Sequence, residues 1–313
     1  MIISASRRTD IPAYYSEWFV NRIKDKYLYV RNPMNAHQIG KISLDYSVVD
    51  GIVFWTKNPI PMMDKLDFFQ DYTYYFQFTL TSYGPEIEQG LPSKNKVLIP
   101  AFCELSKKIG KERVIWRYDP IFLSDTYTLD YHKKYFKIMA SKIGNYTEKC
   151  TVSFLDLYRN TTRNIQPFGI RTLNRGEQIE LMAEFIKIAK EYGILVDTCA
   201  EEIDLSQFGI NHACCIDKER FERIGGYKLE VKKDINQRGI CGCVDSIDIG
   251  TYNTCKNGCV YCYANYSKKA VNKQTRFHDP NSPLLFGCVN EDDVIKERKM
   301  YSYIRRQLSI FDM

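Results

Sequence analysis

Eight short runs rich in β-branched and aromatic residues recur along the chain, at residues 2–6, 27–31, 51–56, 73–81, 113–118, 150–157, 194–198 and 246–252. Between many of them lie stretches with apolar residues at helical spacing, notably 15–24, 97–109, 131–143 and 175–192. Strands alternating with helices make βαβ units, and these build parallel sheets. The expected fold is α/β, a parallel (β/α) barrel of six to eight strands. The strand count stays open because residues 34–49 make a poor helix, with Pro33 and Gly40, and 205–240 is irregular. The expected organisation is a single barrel domain over 1–298, with a cysteine-rich part at 199–262, then a C-terminal helix and tail at 299–313.

A chain of 313 residues is long enough to give such a barrel a full core. Its net charge of +6 permits a polyanionic partner, but the basic residues are spread rather than gathered in a stripe. Arg7, Arg8 and Asp10 interrupt the N-terminal region, and no apolar run reaches membrane-spanning length. A cytoplasmic protein is expected, with no membrane partner. Its eleven cysteines then act as reduced thiols or metal ligands. Nine of them fall between Cys199 and Cys288, a clustering that favours a metal centre.

Cys255, Cys259 and Cys262 form a C-x3-C-x2-C triplet, with Tyr261 just before the last thiol and a strand-like run ahead of it. Three thiolates this close can hold three irons of a 4Fe–4S cluster and leave the fourth iron open. An open position is the mark of catalytic metal sites. A zinc knot using the triplet and one more cysteine is the competing reading, because zinc also favours short spacings. Cys199, Cys215, Cys241 and Cys243 make a second candidate set, with Cys214 an alternative to Cys215. Four thiolates suit a second iron–sulfur cluster or a zinc ion, and the alternative is a group of small buried hydrophobes. His37, His132, His212 and His278 have no close metal spacing. Only His212 lies among the cysteines, and the other three are expected at the surface or at helix caps. Cys103 and Cys288 are read as structural.

In a barrel of this kind the residues just past each strand line the ligand site. Here those positions carry Arg7, Asp10, Lys57, Arg117 and Asp119, the candidate catalytic residues. Thr56, Asn58, Thr79, Thr81 and Tyr261 are the candidate cofactor contacts. Some strand-end polarity only reflects solvent. Cations and carboxylates recurring at several ends suit an anionic or zwitterionic ligand.

A family resemblance follows from these residues. Ser6-Arg7-Arg8-Thr9-Asp10-Ile11-Pro12, Phe54-Trp55-Thr56-Lys57-Asn58-Pro59, Tyr75-Phe76-Gln77-Phe78-Thr79-Leu80-Thr81 and Val114-Ile115-Trp116-Arg117-Tyr118-Asp119-Pro120 resemble domain-of-unknown-function family 1848. Cys241-Gly242-Cys243 and residues 255–265 extend the likeness over nearly the whole chain. The triplet with Tyr261 resembles the signature of radical S-adenosylmethionine (radical SAM) enzymes, and the order of the strand-end motifs distantly resembles their spore photoproduct lyase group. That likeness implies S-adenosylmethionine on the open iron, its reductive cleavage to a 5′-deoxyadenosyl radical, and a reductant such as flavodoxin or ferredoxin. Two features depart from that group. The triplet follows the last strand rather than the first, which a circular permutation accommodates, since first and last strands are neighbours in a barrel. The Gly-Gly-Glu run that often holds the methionine amino group is missing.

The resemblance implies an enzyme acting on a nucleic-acid base, in repair or modification. The alternatives are a radical SAM enzyme for a peptide or small metabolite, and a non-catalytic iron–sulfur or zinc protein. Gln307, Leu308, Ile310 and Phe311, within residues 307–311, resemble the peptide by which bacterial DNA polymerases and repair proteins bind the sliding clamp. DNA and the clamp are therefore expected partners.

Overall fold

The computed structural model describes residues 1–203 and 205–305. Ten strands occur among them: β1 (Ile2–Ala5), β2 (Tyr27–Arg31), β3 (Gln38–Ser43), β4 (Gly51–Thr56), β5 (Tyr74–Thr79), β6 (Val114–Ile121), β7 (Lys149–Phe154), β8 (Leu195–Thr198), β9 (Ile247–Asp248) and β10 (Val294–Glu297). Seven build one sheet in the order β8-β7-β6-β5-β4-β1-β9, with every pair parallel. The fold is α/β with a parallel sheet, as expected. Among the described residues β8 and β9 do not pair, so the sheet has two edges and is not a closed barrel.

Seven of the eight expected strands enter this sheet. The eighth, β2, instead pairs antiparallel with β3, and β10 joins β3 to give a three-stranded side sheet. The reason lies in the connection. A parallel return needs a crossover of a dozen or more residues, whereas only six separate β2 from β3, enough for an antiparallel hairpin. Residues 299–305 run without a helix, contrary to expectation, and pair in part with 228–230 through Glu230 N–H to Tyr303 O and Arg305 N–H to Lys228 O, each 2.8 Å. The clamp-like residues 307–311 lie outside the described part. No described helix is long and apolar enough to cross a membrane.

Alternation along the strands gives the sheet two different faces. Ile3, Ile52, Phe54, Phe76, Trp116 and Val152 point to one face, where helices Ile99–Ile109, Leu129–Ile143 and Arg175–Glu191 complete the main core. Caps fix the last two: Thr128 accepts from Tyr131 N–H, and Asn174 forms a reciprocal capping box with Glu177. The opposite face presents Ile2, Val53, Tyr75 and Ile115, covered by the irregular cysteine-rich segment through Ala213, Cys215, Ile216, Phe221 and Cys243.

His132, expected at the surface, is fully buried on helix Leu129–Ile143. Its Nε2 faces the Phe122 carbonyl at 2.8 Å and therefore carries the proton, leaving Nδ1 to accept from the Tyr118 hydroxyl at 2.9 Å. Burial lowers its pKa from 6.5 to about 4. The unfolded chain thus binds a proton that the fold does not between those values, so stability is full above pH 6.5 and falls as pH drops toward 4. The expected loss from this group is about 3 kcal/mol. His132→Gln keeps a donor for the Phe122 carbonyl, and urea unfolding from pH 7.5 to 4.5 should show a shallower fall for it. Equal slopes in both proteins would reject this account.

Candidate metal centres at the strand ends

The loop holding the triplet begins just beyond β9, which pairs with β1 at the sheet's edge. Asp248 locks the two strands together. Its carboxylate accepts from Ser4 Oγ at 3.1 Å, Arg7 N–H at 2.9 Å and Gly250 N–H at 3.0 Å, and also from Ser6 Oγ. From there the loop runs across the ends of neighbouring strands. Val260 N–H donates to Ile87 O at 3.0 Å and Gly90 N–H to Asn257 O at 2.8 Å, zipping it to the segment after β5. Gly90 permits this approach, because a Cβ there would fall 2.4 Å from Lys256 O. Gly258, at φ +64, makes the turn between the first two cysteines. Val260 and Tyr261 then pack with Tyr83, Phe122, Leu155 and Ile165, which follow β5, β6 and β7.

Asp10 is the buried hub beneath the loop. It accepts from Ala13 N–H at 3.0 Å, Thr56 Oγ1 at 2.8 Å, Lys57 N–H at 2.8 Å and Asn257 Nδ2 at 3.0 Å. Four donors occupy the sites a carboxylate offers, so Asp10 ties β1, β4 and the cysteine loop together rather than facing a ligand. Burial pushes its carboxyl up while these bonds pull it down. Thr56 is likewise committed to Asp10 and to Asn58 N–H. Asn58 turns the chain after β4 by accepting from Ile60 N–H at 3.3 Å. Thr79 stands half-buried at the end of β5.

Glu88 is the residue the sequence did not single out. Fully buried, it receives Lys57 Nζ at 2.8 Å, Thr81 Oγ1 at 3.0 Å, Lys94 Nζ and the Tyr261 hydroxyl. Burial alone would raise its pKa, but Lys57 and Lys94 prevail and hold it at about 2. Lys57 also reaches the Tyr261 hydroxyl at 2.9 Å, and burial is outweighed at its ammonium by Glu88 and Cys259. The three thiols are half-buried. Burial raises all of them, Cys259 to about 12, while backbone N–H groups of Asn257 at Cys255 and of Ala264 and Asn265 at Cys262 favour the thiolate.

The second cysteine set lies on the sheet face away from the helices. Cys215 Sγ stands 3.3 Å from Cys199 Sγ, and Cys243 touches both Cys215 and Cys241. Contacts from Cys199, then Cys243, together with Arg117, hold the Cys215 thiol well below the ordinary range. Arg117, buried, donates from Nη1 to Cys215 Sγ at 2.9 Å and from Nε to Asp119 at 2.7 Å. Arg7 and Arg117 both stack on Trp55, at 5.1 and 5.2 Å from its ring. The expected catalytic residues thus divide: Lys57 and Asp10 support the triplet loop, whereas Arg117 and Asp119 lie at the second set. Arg7 joins the two, its carbonyl accepting from the Tyr263 hydroxyl at 2.9 Å while its guanidinium lies towards Cys215 and Cys243.

A family model described as a domain of unknown function, DUF1848, matches residues 2–264. The chain belongs to this family. No curated protein and no solved structure matches it. Both cysteine sets lie inside the DUF1848 match, and β10 lies beyond it. Among the described residues of this DUF1848 member, neither set brings three sulfurs all within 4.8 Å of one another. His37 lies with Asp292 and Asp293 on the exposed side sheet, and Arg31 is spent on Asp293 and the Cys288 carbonyl, so neither serves the two cysteine sets. His212 is exposed and bridges to Thr198. A cleft of about 530 Å³ runs along β9, with Arg7, Arg8, Asp248 and Arg298 in its wall; no cysteine lines it.

Proposed function

We propose that Cys255, Cys259 and Cys262 hold an open 4Fe–4S cluster and that the protein is a radical SAM enzyme. The observation that carries this reading is the position of the loop, whose three half-buried thiols cross the strand ends beside Lys57 and Glu88. The donor set fits the group: three thiols, N–H groups aimed at two of them, and no fourth cysteine in the loop. Bound there, the cluster and S-adenosylmethionine would supply reductive cleavage to a 5′-deoxyadenosyl radical. The chain's own work is to hold and shield. Asp10 fixes the loop through Asn257, Glu88 fixes Lys57 and Tyr261, and Tyr83, Phe122 and Tyr261 wall off water.

The same reading takes the sheet to be curled as an open barrel, permuted so that its last strand precedes its first. Tyr158, after β7, lies 5.7 Å from Tyr263, after β9. Five strand spacings separate β7 from β9, about 24 Å in a flat sheet. Curling brings their ends together.

The substrate we favour is an unstacked nucleic-acid base. Tyr158, Tyr263 and Tyr266 are exposed around the cysteine loop at 47%, 43% and 47%, offering stacking faces where a flipped base would enter. A small anionic metabolite is the second reading, favoured by the cleft that Arg7 and Arg8 line. Anaerobic, reduced protein with S-adenosylmethionine is expected to release 5′-deoxyadenosine. No product under strong reduction, with the cluster spectrum intact, overturns the assignment. Nucleic-acid binding that weakens steeply with salt separates the base from the metabolite.

A further inference from the structure

Cys199, Cys215 and the Cys241–Cys243 pair come from three separate stretches of chain, yet their sulfurs form one continuous group. The Cys199–Cys215 separation of 3.3 Å is much longer than a disulfide's roughly 2.05 Å. Ile216 N–H points at Cys243 Sγ at 3.4 Å, a donor suited to a thiolate. Gly242 allows the tight turn between Cys241 and Cys243, and Cys214 packs against it, since a Cβ at Gly242 would fall 2.6 Å from Cys214 Sγ. Cys215 therefore faces the group and Cys214 lies beside it.

The surroundings are wrong for a set of neutral, apolar thiols. Arg117 is only 5% exposed and donates to Cys215, and Arg7 Nη2 is buried with no hydrogen-bond partner among the described residues. Buried guanidinium groups are costly without an opposing charge. Asp119 answers part of Arg117 and Asp248 acts on Arg7 from nearby, but among the described residues no carboxylate is hydrogen-bonded to Arg7 Nη2. Four thiolates around a divalent ion, or around a doubly charged iron–sulfur core, carry a net charge of about −2. We infer that Cys199, Cys215, Cys241 and Cys243 are the four ligands of a second, fully thiolate-bound metal centre, with Arg7 and Arg117 as its counter-charges. This centre is independent of what the triplet binds.

The test uses the full chain with Cys255, Cys259 and Cys262 replaced by Ala, purified without oxygen from cells supplied with iron and zinc. The chain is expected to keep one centre. One zinc per chain identifies a zinc site; about four irons with matching sulfide identify a cluster. Either supports the inference, and a metal-free chain overturns it. Adding Cys199→Ser and Cys243→Ser should remove that metal, and unchanged content would also overturn it. Should the five-residue variant fail to fold, the three-residue variant alone decides.

Discussion

Replacing Cys255, Cys259 and Cys262 together by Ala is expected to lower iron by about four atoms per chain and to end 5′-deoxyadenosine formation, while leaving the fold in place. The loop does not depend on its thiols for its shape. Asn257 is held by Asp10, by Gly90 N–H and by the Tyr14 hydroxyl at 2.9 Å. Thr254 O accepts from the Tyr15 hydroxyl, and Asn265 Nδ2 spans to Cys255 O at 2.8 Å. Removing three half-buried sulfurs costs some packing but breaks none of these bonds. Circular dichroism and thermal melting should therefore change little, whereas the cluster's four irons and the product are lost. Iron content and product equal to those of the unaltered protein would reject the triplet as the site. A chain that loses iron yet still forms 5′-deoxyadenosine would separate the cluster from the chemistry.

Much of the architecture was legible because it rests on local pattern. The runs around β4, β5 and β6 alternate or repeat apolar residues strongly enough to mark parallel strands with both faces covered. β2 has the same composition, so only its short connection to β3 reveals that it leaves the main sheet. His132 carried an unused signal: it falls with Phe136, Met139, Ala140 and Ile143 on one helical face, and that spacing marks burial. Glu88 carried none. It sits in a loop without periodicity, and its partners Lys57, Lys94 and Tyr261 come from three other segments, one of them 173 residues away. Asn257 reads as a spacer between cysteines until its bond to Asp10 is seen. Motif spacing marks ligands well, because chemistry fixes the residue types. The residues that hold the ligands come from wherever the chain happens to pass.

Glu88→Gln is expected to be among the most damaging single substitutions in the molecule, at a cost on the order of 3 kcal/mol. The Glu88 side chain is 1% exposed, and those of Lys57 and Lys94, at 13% and 17%, converge on its two oxygens. With the carboxylate gone, two ammonium groups remain close together in a poorly solvated site with only neutral acceptors, the Tyr261 hydroxyl for Lys57 and Tyr83 O and Thr81 Oγ1 for Lys94. Removing one partner of a buried ion pair leaves a charge that water can no longer reach, which is why such losses exceed the net worth of the pair itself. The damage should spread to the cysteine loop, because Lys57 and Glu88 both bond the Tyr261 hydroxyl. Urea unfolding at neutral pH measures the stability, and limited proteolysis reports loosening at residues 255–262. Adding Lys94→Met to Glu88→Gln removes one stranded cation and should recover part of the loss. That recovery distinguishes charge from packing: a double variant no more stable than Glu88→Gln would point to the shape of the Glu88 side chain. A Glu88→Gln protein within about 1 kcal/mol of the unaltered one would show that water reaches the lysines, and the site would not be the closed, charge-locked support described above.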